Sequence, residues 1–468
     1  MRHCAPAPKK PFGGLVLRNA IETALKGKNA RYIEVRAEEA EGTNLVYRGK
    51  SLDDVSKASV VGGCVRALDK GGWGFASFNN LSEINEKVEV AVSHAKHVGG
   101  TRVELAKVTP HDQTVEPHLG EDPRQISIAE KKKILDNYVQ IILGISGVQT
   151  ANIGYSDSYR KTYFANSEGA FVQQERIDVN MRLSAMARAN SDVQQSGISL
   201  GSLGDFSFVR SLESEAEEVA RRAVDLLSAP QVKGGPHTVI LDPVLAGVFI
   251  HEAFGHLSEA DHVYEEKRLQ EIMYMGRRFG GNHLNVVDGA ALPQLRGSYA
   301  YDDEGTPSTK THLIREGLLV GRLHSRETAA AMGENPTGNA RAINYRFPPI
   351  VRMTNTYIEP GNATFQDLLS GVKEGVYARN WYGGMTSMEM FTFSAGEAYM
   401  IRNGKIEELL RPILLTGNLF ETLNNLDAIG NDLEMNQGGG CGKGGQSPLP
   451  VSNGSPHIRI QNCLVGGA

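Results

Sequence analysis

Apolar residues recur along the N-terminal part of the chain with the spacing of helices and strands in turn. A helix is predicted over 15–25, and apolar positions three and four residues apart predict a second helix over 84–98. Strands are predicted between these helices, over 32–37, 45–48 and 60–68. The pattern indicates an N-terminal α/β domain of residues 15–110, and we expect residues 1–14 before it to be disordered.

A polar stretch with three prolines, residues 106–125, predicts a linker. Ser127, followed three residues later by a glutamate, is typical of a helix start and predicts a helix over 128–142. Strands are predicted next, over 159–165, 170–174 and 177–187. An apolar stripe predicts a helix over 211–227. We expect this middle α/β segment, residues 125–230, to pack with the N-terminal domain.

Short strands and turns dominate the pattern after a glycine- and proline-containing boundary at 232–236, which predicts a β-rich C-terminal domain of residues 236–468. The Asn-Gly pair within 402–405 predicts a hairpin turn. The glycine-rich stretch 438–445 is interpreted as a loop leading into a last strand over 457–460. The fold class expected for the whole chain is α+β, with helices and antiparallel strands in the N-terminal region.

Composition narrows the range of functions. The 468 residues are 40% hydrophobic and carry a formal net charge of −5, which argues against a nucleic-acid-binding protein, since such proteins cluster Lys and Arg. No apolar stretch approaches the ~20 residues needed to cross a bilayer, and no signal peptide is evident. Four widely spaced cysteines, Cys4, Cys64, Cys441 and Cys463, match no disulfide framework. We therefore expect a cytoplasmic protein without a membrane partner.

One stretch, residues 237–261, combines polar groups with an apolar helix. A strand over 238–241 is followed by Asp242, a natural helix N-cap, and by a proline suited to the first helical position. The helix after them is apolar almost all round, which predicts that it is buried. His251 and Glu252 stand at its end, where burial is costly unless a partner such as a cation satisfies them.

The second histidine of this stretch, His256, follows His251 by five residues, whereas the familiar helical zinc motif separates its histidines by four. Five steps on a regular helix turn the second ring by roughly 140°. Convergence on one ion requires a π-bulge or a helix end near Gly255, the residue most tolerant of distortion. Two simpler interpretations are hydrogen-bonded core histidines and a buried pair between Glu252 and His256.

A catalytic zinc usually has three protein ligands and a water, so two histidines leave one ligand to be found. Glu259, Asp261 and His262 are near in sequence, and Cys441 is distant but lies among glycines that would let its backbone approach an ion. Spacing alone leaves the choice open.

A resemblance to a known family covers nearly the whole chain from about residue 15. The stretch HEAFGHLSEAD resembles the HExxxH region of the TldD/PmbA family, also called modulators of DNA gyrase. Further segments resemble the family in the same order: YDDEGTPS, NPTGNAR, RMTNTYIEPG, AYMIRNGKI, GNDLEMNQGGGCGKGGQ and the closing CLVGGA.

The resemblance implies a catalytic subunit of TldD type, a zinc metallopeptidase whose C-terminal domain carries a buried metal-binding helix. His251, His256 and Cys441 would hold one zinc per chain. Glu252 would be the general base that assists attack of zinc-bound water on small or unfolded peptides. The family also implies a TldE/PmbA-type partner in a heterodimer, with a homodimer as the other possibility. The alternatives are a non-catalytic TldE/PmbA-like partner, a regulatory protein-binding subunit and a metal-dependent amidase.

Overall fold

The computed structural model describes residues 13–99, 103–387 and 389–467. Most of the predicted disordered N-terminus lies outside these residues, but Gly14 already begins the first helix. The elements of the N-terminal part are α1 Gly14–Leu25, β1 Tyr32–Arg48, β2 Ser51–Asp69, β3 Gly72–Phe78, α2 Ile84–Val98, β4 Asp112–Val115, α3 Ile128–Gly144, β5 Val148–Asn166, β6 Phe171–Ala189, β7 Asp192–Leu203 and α4 Glu213–Asp225.

These strands form one seven-stranded sheet in the order β3–β2–β1–β5–β6–β4, with β7 also paired to β6. Strand β1 pairs with β5 from Glu34 to Arg48, so the first and middle segments share this sheet. All pairings are antiparallel except that of β4 with β6. The stretch interpreted as a linker therefore contains an edge strand, because its residues 112–115 hydrogen-bond to β6.

The long strands correct the sequence-based prediction, which divided β1 and β6 into two strands each. Polar residues interrupt the apolar runs, but they stay within the strands because their side chains find charged partners on the sheet. Glu38 in the middle of β1, for example, accepts a hydrogen bond from Arg160 of β5 at 2.7 Å. The predicted helices all form, with ends shifted by up to two residues.

The two faces of β6 differ in chemistry. Ile177, Val179, Met181 and Leu183 are buried in the core beneath α3 and α4. The intervening positions are polar, and several of them line cavities against the C-terminal part. Side chains alternate across a strand, so one face of β6 packs in the core. Its other face lines the interior surface between the two halves of the chain.

The elements of the C-terminal part are β8 Gly235–Leu241, α5 Pro243–Ile250, α6 Ala260–Glu265, α7 Lys267–Ile272, β9 Val286–Gly289, β10 Lys310–Arg315, β11 Leu318–Leu319, α8 Arg326–Met332, β12 Ala340–Arg341, β13 Ile350–Val351, β14 Asn355–Ile358, α9 Phe365–Ser370, β15 Glu374–Ser387, β16 Met390–Arg402, β17 Lys405–Leu410, β18 Ile413–Asn418, α10 Leu419–Asn424, β19 Leu426–Ile429, β20 Glu434–Asn436, β21 Gly440–Lys443, β22 Gln446–Pro450, β23 Ser452–Ser455 and β24 Ile458–Gly467.

Five of these strands close into a ring in the order β15–β8–β24–β18–β16, since β16 pairs with β15 again. A second sheet has the order β11–β10–β9–β14–β23–β20. Helix α5 lies against both, packing on β15, β20 and β23. Its approach to β23 is close, since a Cβ on Gly247 would stand 2.8 Å from the backbone nitrogen of Gly454. The fold is α+β with a β-rich C-terminal domain, as the sequence predicts.

Two turn predictions in this domain have different outcomes. The turn over 402–405 is confirmed, with Asn403 and Gly404 at φ of 50° and 74° between β16 and β17. The loop interpretation of 438–445 is wrong in part, because its second half forms a hairpin in which Cys441 pairs with Leu449. Glycine is depleted in strands, so the pattern concealed this hairpin. None of the helices in the described part of the chain combines the length and apolar character needed to cross a membrane.

Candidate metal centre

Helix α5 begins as its sequence predicts. The Asp242 side chain accepts a hydrogen bond from the backbone N–H of Leu245 at 2.8 Å, and Pro243 occupies the first helical position. Every helix residue except Val244 is buried. The helix is therefore held between the two sheets, and the histidines follow at its C-terminal end.

A π turn over His251–Gly255 continues α5. The N–H of His256 donates to the carbonyl of His251, five residues earlier, in place of the usual four. The wider turn brings the two imidazoles to one side, with ring centroids 5.5 Å apart. Of the two possibilities that the spacing leaves open, a π-bulge or a helix end, the structure contains the π-bulge.

Gly255 serves this turn for a reason that differs from the prediction. Its φ of −57° is ordinary for any residue, so the turn needs no special backbone freedom. A Cβ at this position would stand only 2.0 Å from the Met353 sulfur. Glycine is required here because the segment between β13 and β14 approaches the π turn closely.

Cys441 joins the two histidines from β21. One donor atom each from His251, His256 and Cys441 lies within 4.8 Å of the others, and no other such cluster of three or more exists among the described residues. The Cys441 Sγ is 3.5 Å from Nε2 of His256. His251 and Cys441 are buried, and His256 is partly exposed. Of the candidates for a third ligand, the structure brings only Cys441 into this cluster.

An arginine that sequence reasoning did not single out fixes the position of Cys441. Arg352 is fully buried, and its guanidinium donates to the Cys441 carbonyl at 2.8 Å and to the Gln446 carbonyl at 3.1 Å. These two bonds hold both strands of the β21–β22 hairpin against the segment between β13 and β14. The arginine stands in the segment RMTNTYIEPG, but no local pattern separates it from an ordinary surface arginine.

Glu259 lies behind His256. Its Oε2 is 3.0 Å from Nδ1 of His256, which leaves Nε2 of that ring facing Cys441. Glu259 is fully buried, and it also accepts from the Met353 N–H and pairs with Lys443 at 3.1 Å. Burial alone would raise its pKa, but Lys443 and His256 lower it to about 2. A carboxylate in this position orients the imidazole and fixes its tautomer.

Asp261 and His262 stand outside the cluster of donor atoms. Asp261 accepts a hydrogen bond from Lys443 at 2.6 Å. Lys443 thus connects Asp261 and Glu259, and its position two residues after Cys441 ties the hairpin to the segment after the π turn. Glu252 also lies near His256, as the simpler interpretation expects, but the contact is a long ion pair and not a hydrogen bond, since Oε2 of Glu252 is 3.8 Å from Nε2 of His256.

The side chains of His251, His256 and Cys441 shift one another's pKa. Burial acts against charge on all three, but the proximity of His251 and His256 lowers the pKa of the Cys441 thiol. The thiolate in turn raises the pKa of both imidazoles. The lowered pKa of Cys441 favours the thiolate, which is the form in which cysteine binds metals.

The residues present fit a zinc ion. Nδ1 of His251 is buried and has no hydrogen-bond partner among the described residues, a costly state that a bound ion or its water would relieve. Two imidazoles and a thiolate are ligands that zinc prefers over magnesium or calcium. Three protein ligands also leave a position free for water or substrate.

Glu252 and His251 line a cavity of about 420 Å³ between the two halves of the chain. Its walls come from β6 and β7 on one side, and from α5, β15 and the glycine segment before Cys441 on the other. Glu252 is partly exposed to it. We call this space the metal-centre cavity.

Comparison with known proteins extends these observations. Sequence models of the PmbA/TldA metallopeptidase match residues 33–95 for domain 1, 121–229 for the central domain and 234–467 for the C-terminal domain. A metalloprotease of Synechocystis sp. is 47% identical over 440 residues, which cover 94% of this chain and 95% of that protein. A zinc metalloprotease TldD homolog of Saccharolobus solfataricus is 31% identical, covering 96% and 99%.

Solved structures share the fold at low identity. A putative modulator of a DNA gyrase from Thermotoga maritima superposes with a TM-score of 0.79 at 19% identity, covering 96% of this chain and 99% of that one. TldE from Thermococcus kodakarensis gives 0.78 at 18% identity, covering 96% and 100%. From the matches of all three domains and the identity to metalloproteases over nearly its whole length, the chain belongs to the TldD/PmbA family of metallopeptidases.

Proposed function

We propose that this protein is a zinc-dependent peptidase of TldD type, with His251, His256 and Cys441 as the ligands of one zinc per chain and Glu252 as the catalytic residue. The observation that carries the proposal is the convergence of the three donor atoms within 4.8 Å. The π turn and the hairpin that produce it come from segments some 185 residues apart.

When bound at this site, zinc would supply a Lewis acid for a peptide carbonyl and would acidify a water molecule. Glu252 would accept a proton from the attacking water and deliver it to the amine of the leaving peptide. Two observations support this role for Glu252: it directly follows a proposed ligand in the sequence, and it lines the metal-centre cavity. Glu259 keeps His256 oriented from the opposite side.

The substrate class follows from the cavity. A space of about 420 Å³ between two sheets admits a few residues of extended chain but excludes a folded domain. Its walls include strand segments whose backbone groups can bind an extended peptide without regard to sequence. We therefore propose small or unfolded peptides as substrates.

The complete set of His251, Glu252, His256 and Cys441 favours a catalytic subunit over a non-catalytic partner. A solved relative of the same fold is named TldE, which supports the proposal that a TldE/PmbA-type subunit is the partner of this chain. Three described cysteines are free thiols, and such thiols fit a reducing compartment such as the cytoplasm.

Removal of the metal tests the proposal. Purified protein is expected to contain about one zinc per chain and to hydrolyse an unstructured peptide. Dialysis against a chelator is expected to abolish hydrolysis, and one equivalent of zinc to restore it, with both followed by mass spectrometry of the products. Magnesium or calcium provides the matched control and should restore nothing. Full activity in the metal-free protein would contradict the proposal.

A further inference from the structure

A second cavity of about 420 Å³ adjoins the metal-centre cavity, and we call it the arginine cavity. Four arginines line it: Arg160, Arg176, Arg296 and Arg341. Three aspartates also line it: Asp178, Asp302 and Asp303. The ion pairs of these seven side chains determine whether any charge in the cavity is left unbalanced and could bind a ligand.

Two of the arginines have their charge matched by carboxylates. Arg296 forms a bidentate pair with Asp178, with distances of 2.8 and 2.9 Å. Arg160 pairs with Glu38 at 2.7 Å and lies 4.0 Å from Asp303. The third aspartate, Asp302, accepts hydrogen bonds from backbone N–H groups.

The other two arginines have no carboxylate partner. Arg176 donates to the backbone carbonyls of Ser298 and Arg296, and Arg341 donates to those of Met353 and Pro450. Neither forms an ion pair within the described part of the chain. Burial lowers the pKa of Arg176 to about 10, and the neighbouring arginines contribute to this shift, although Asp178 acts in the opposite direction. The cavity wall thus holds positive charge that an anion would stabilise.

The two cavities are connected by shared structure. Gly438, Gly439 and Gly440 line both. One face of β6 also runs past both, with Arg176 in the arginine cavity and Arg182 in the metal-centre cavity. Gly440 directly precedes Cys441. A peptide bound at the metal centre could therefore extend along β6 into the arginine cavity.

We propose that the arginine cavity binds the C-terminal carboxylate of the peptide substrate, with Arg176 and Arg341 as the charged groups that recognise it. The guanidinium fork matches a carboxylate in geometry and charge. Arg176 and Arg182 are six residues apart on one strand, which is about 20 Å. A peptide that ran along this stretch of β6 would cover it with about six residues, which sets the scale of the distance between the bond cut and the C-terminus. This inference rests on the proposed peptidase function.

A binding measurement without any change in the arginine cavity tests the inference first. The zinc-loaded Glu252→Gln protein is titrated with a short, unstructured, N-terminally fluorescent peptide, and anisotropy gives Kd. Three forms are compared: a free C-terminal carboxylate, a C-terminal amide, and an amide whose last residue is aspartate. We expect the plain amide to bind roughly 10- to 100-fold more weakly than the free acid, as for loss of a charged hydrogen-bond partner.

The aspartate amide separates a terminal carboxylate from acidity in general, and it is expected to bind like the plain amide. Arg176→Gln is expected to bring the acid and the plain amide within about threefold, and Arg176→Lys to restore part of the difference. Arg188→Gln on the same strand is the matched control, since this exposed arginine lies outside both cavities.

Equal affinity of the unaltered cavity for acid and plain amide overturns the inference, as does absence of binding by all three forms at millimolar concentration. If the aspartate amide binds as tightly as the free acid, the inference is also overturned, because the cavity would then recognise a side-chain carboxylate. Hydrolysis by the wild-type protein is scored separately on the amide. If amide is cut but acid is not preferred, the arginine inference fails while the peptidase function stands.

Discussion

Glu252→Gln is expected to lower kcat for an unstructured peptide by about 10²- to 10⁴-fold, the range that a general base contributes. The amide has nearly the size of the carboxylate but cannot accept the proton. Because Glu252 lies outside the cluster of donor atoms, zinc content is expected to stay at about one per chain. Steady-state kinetics and metal analysis on the same preparation measure both quantities.

Glu265→Gln is the matched control for this change, since Glu265 is exposed on α6 and touches neither cavity. Its kcat should stay within twofold of the wild type. A Glu252→Gln protein that keeps more than a tenth of the wild-type kcat would exclude Glu252 as the base. Loss of zinc together with activity would instead place Glu252 among the ligands.

Cys441→Ala is expected to weaken zinc binding by roughly 100-fold or more, since even groups behind a ligand commonly contribute 10- to 100-fold. The change removes the only sulfur in the cluster, and two imidazoles alone do not complete a catalytic site. Competition with a chromophoric chelator measures the affinity, and peptide hydrolysis at limiting zinc should fall in parallel.

Cys463→Ala provides the matched control, because Cys463 is also a buried free thiol but lies in β24, outside the donor cluster. It should bind zinc like the wild type. Unchanged affinity in Cys441→Ala would show that the third ligand is another group, with Glu259 the nearest candidate because it already contacts His256.

The sequence predicted the helix of the metal centre well because its signals are local. An aspartate cap, a proline at the first position and an apolar run are all contained in a dozen residues, and the structure confirms each of them. The five-residue spacing of the histidines also sufficed to predict that the helix must widen or end. Gly255 was identified correctly but for a different cause, because Met353, which contacts it, lies in a segment about 100 residues further along the chain.

The parts that the sequence did not predict depend on distant segments. Spacing could not choose among Glu259, Asp261, His262 and Cys441, and only the family resemblance pointed to Cys441. The roles of Arg352 behind Cys441 and of Glu259 behind His256 arise because β21 and the segment before β14 pack around the π turn. The four arginines of the arginine cavity likewise come from four separate stretches of the chain, and each of them looks like a solvated charge in isolation.

X-ray absorption at the zinc edge of the wild-type protein tests the central claim most directly. The account predicts one sulfur neighbour at about 2.3 Å, two imidazole nitrogens at about 2.0–2.1 Å and one further light atom. Zinc surrounded only by nitrogen and oxygen, or protein that binds no zinc, would contradict the assignment of His251, His256 and Cys441.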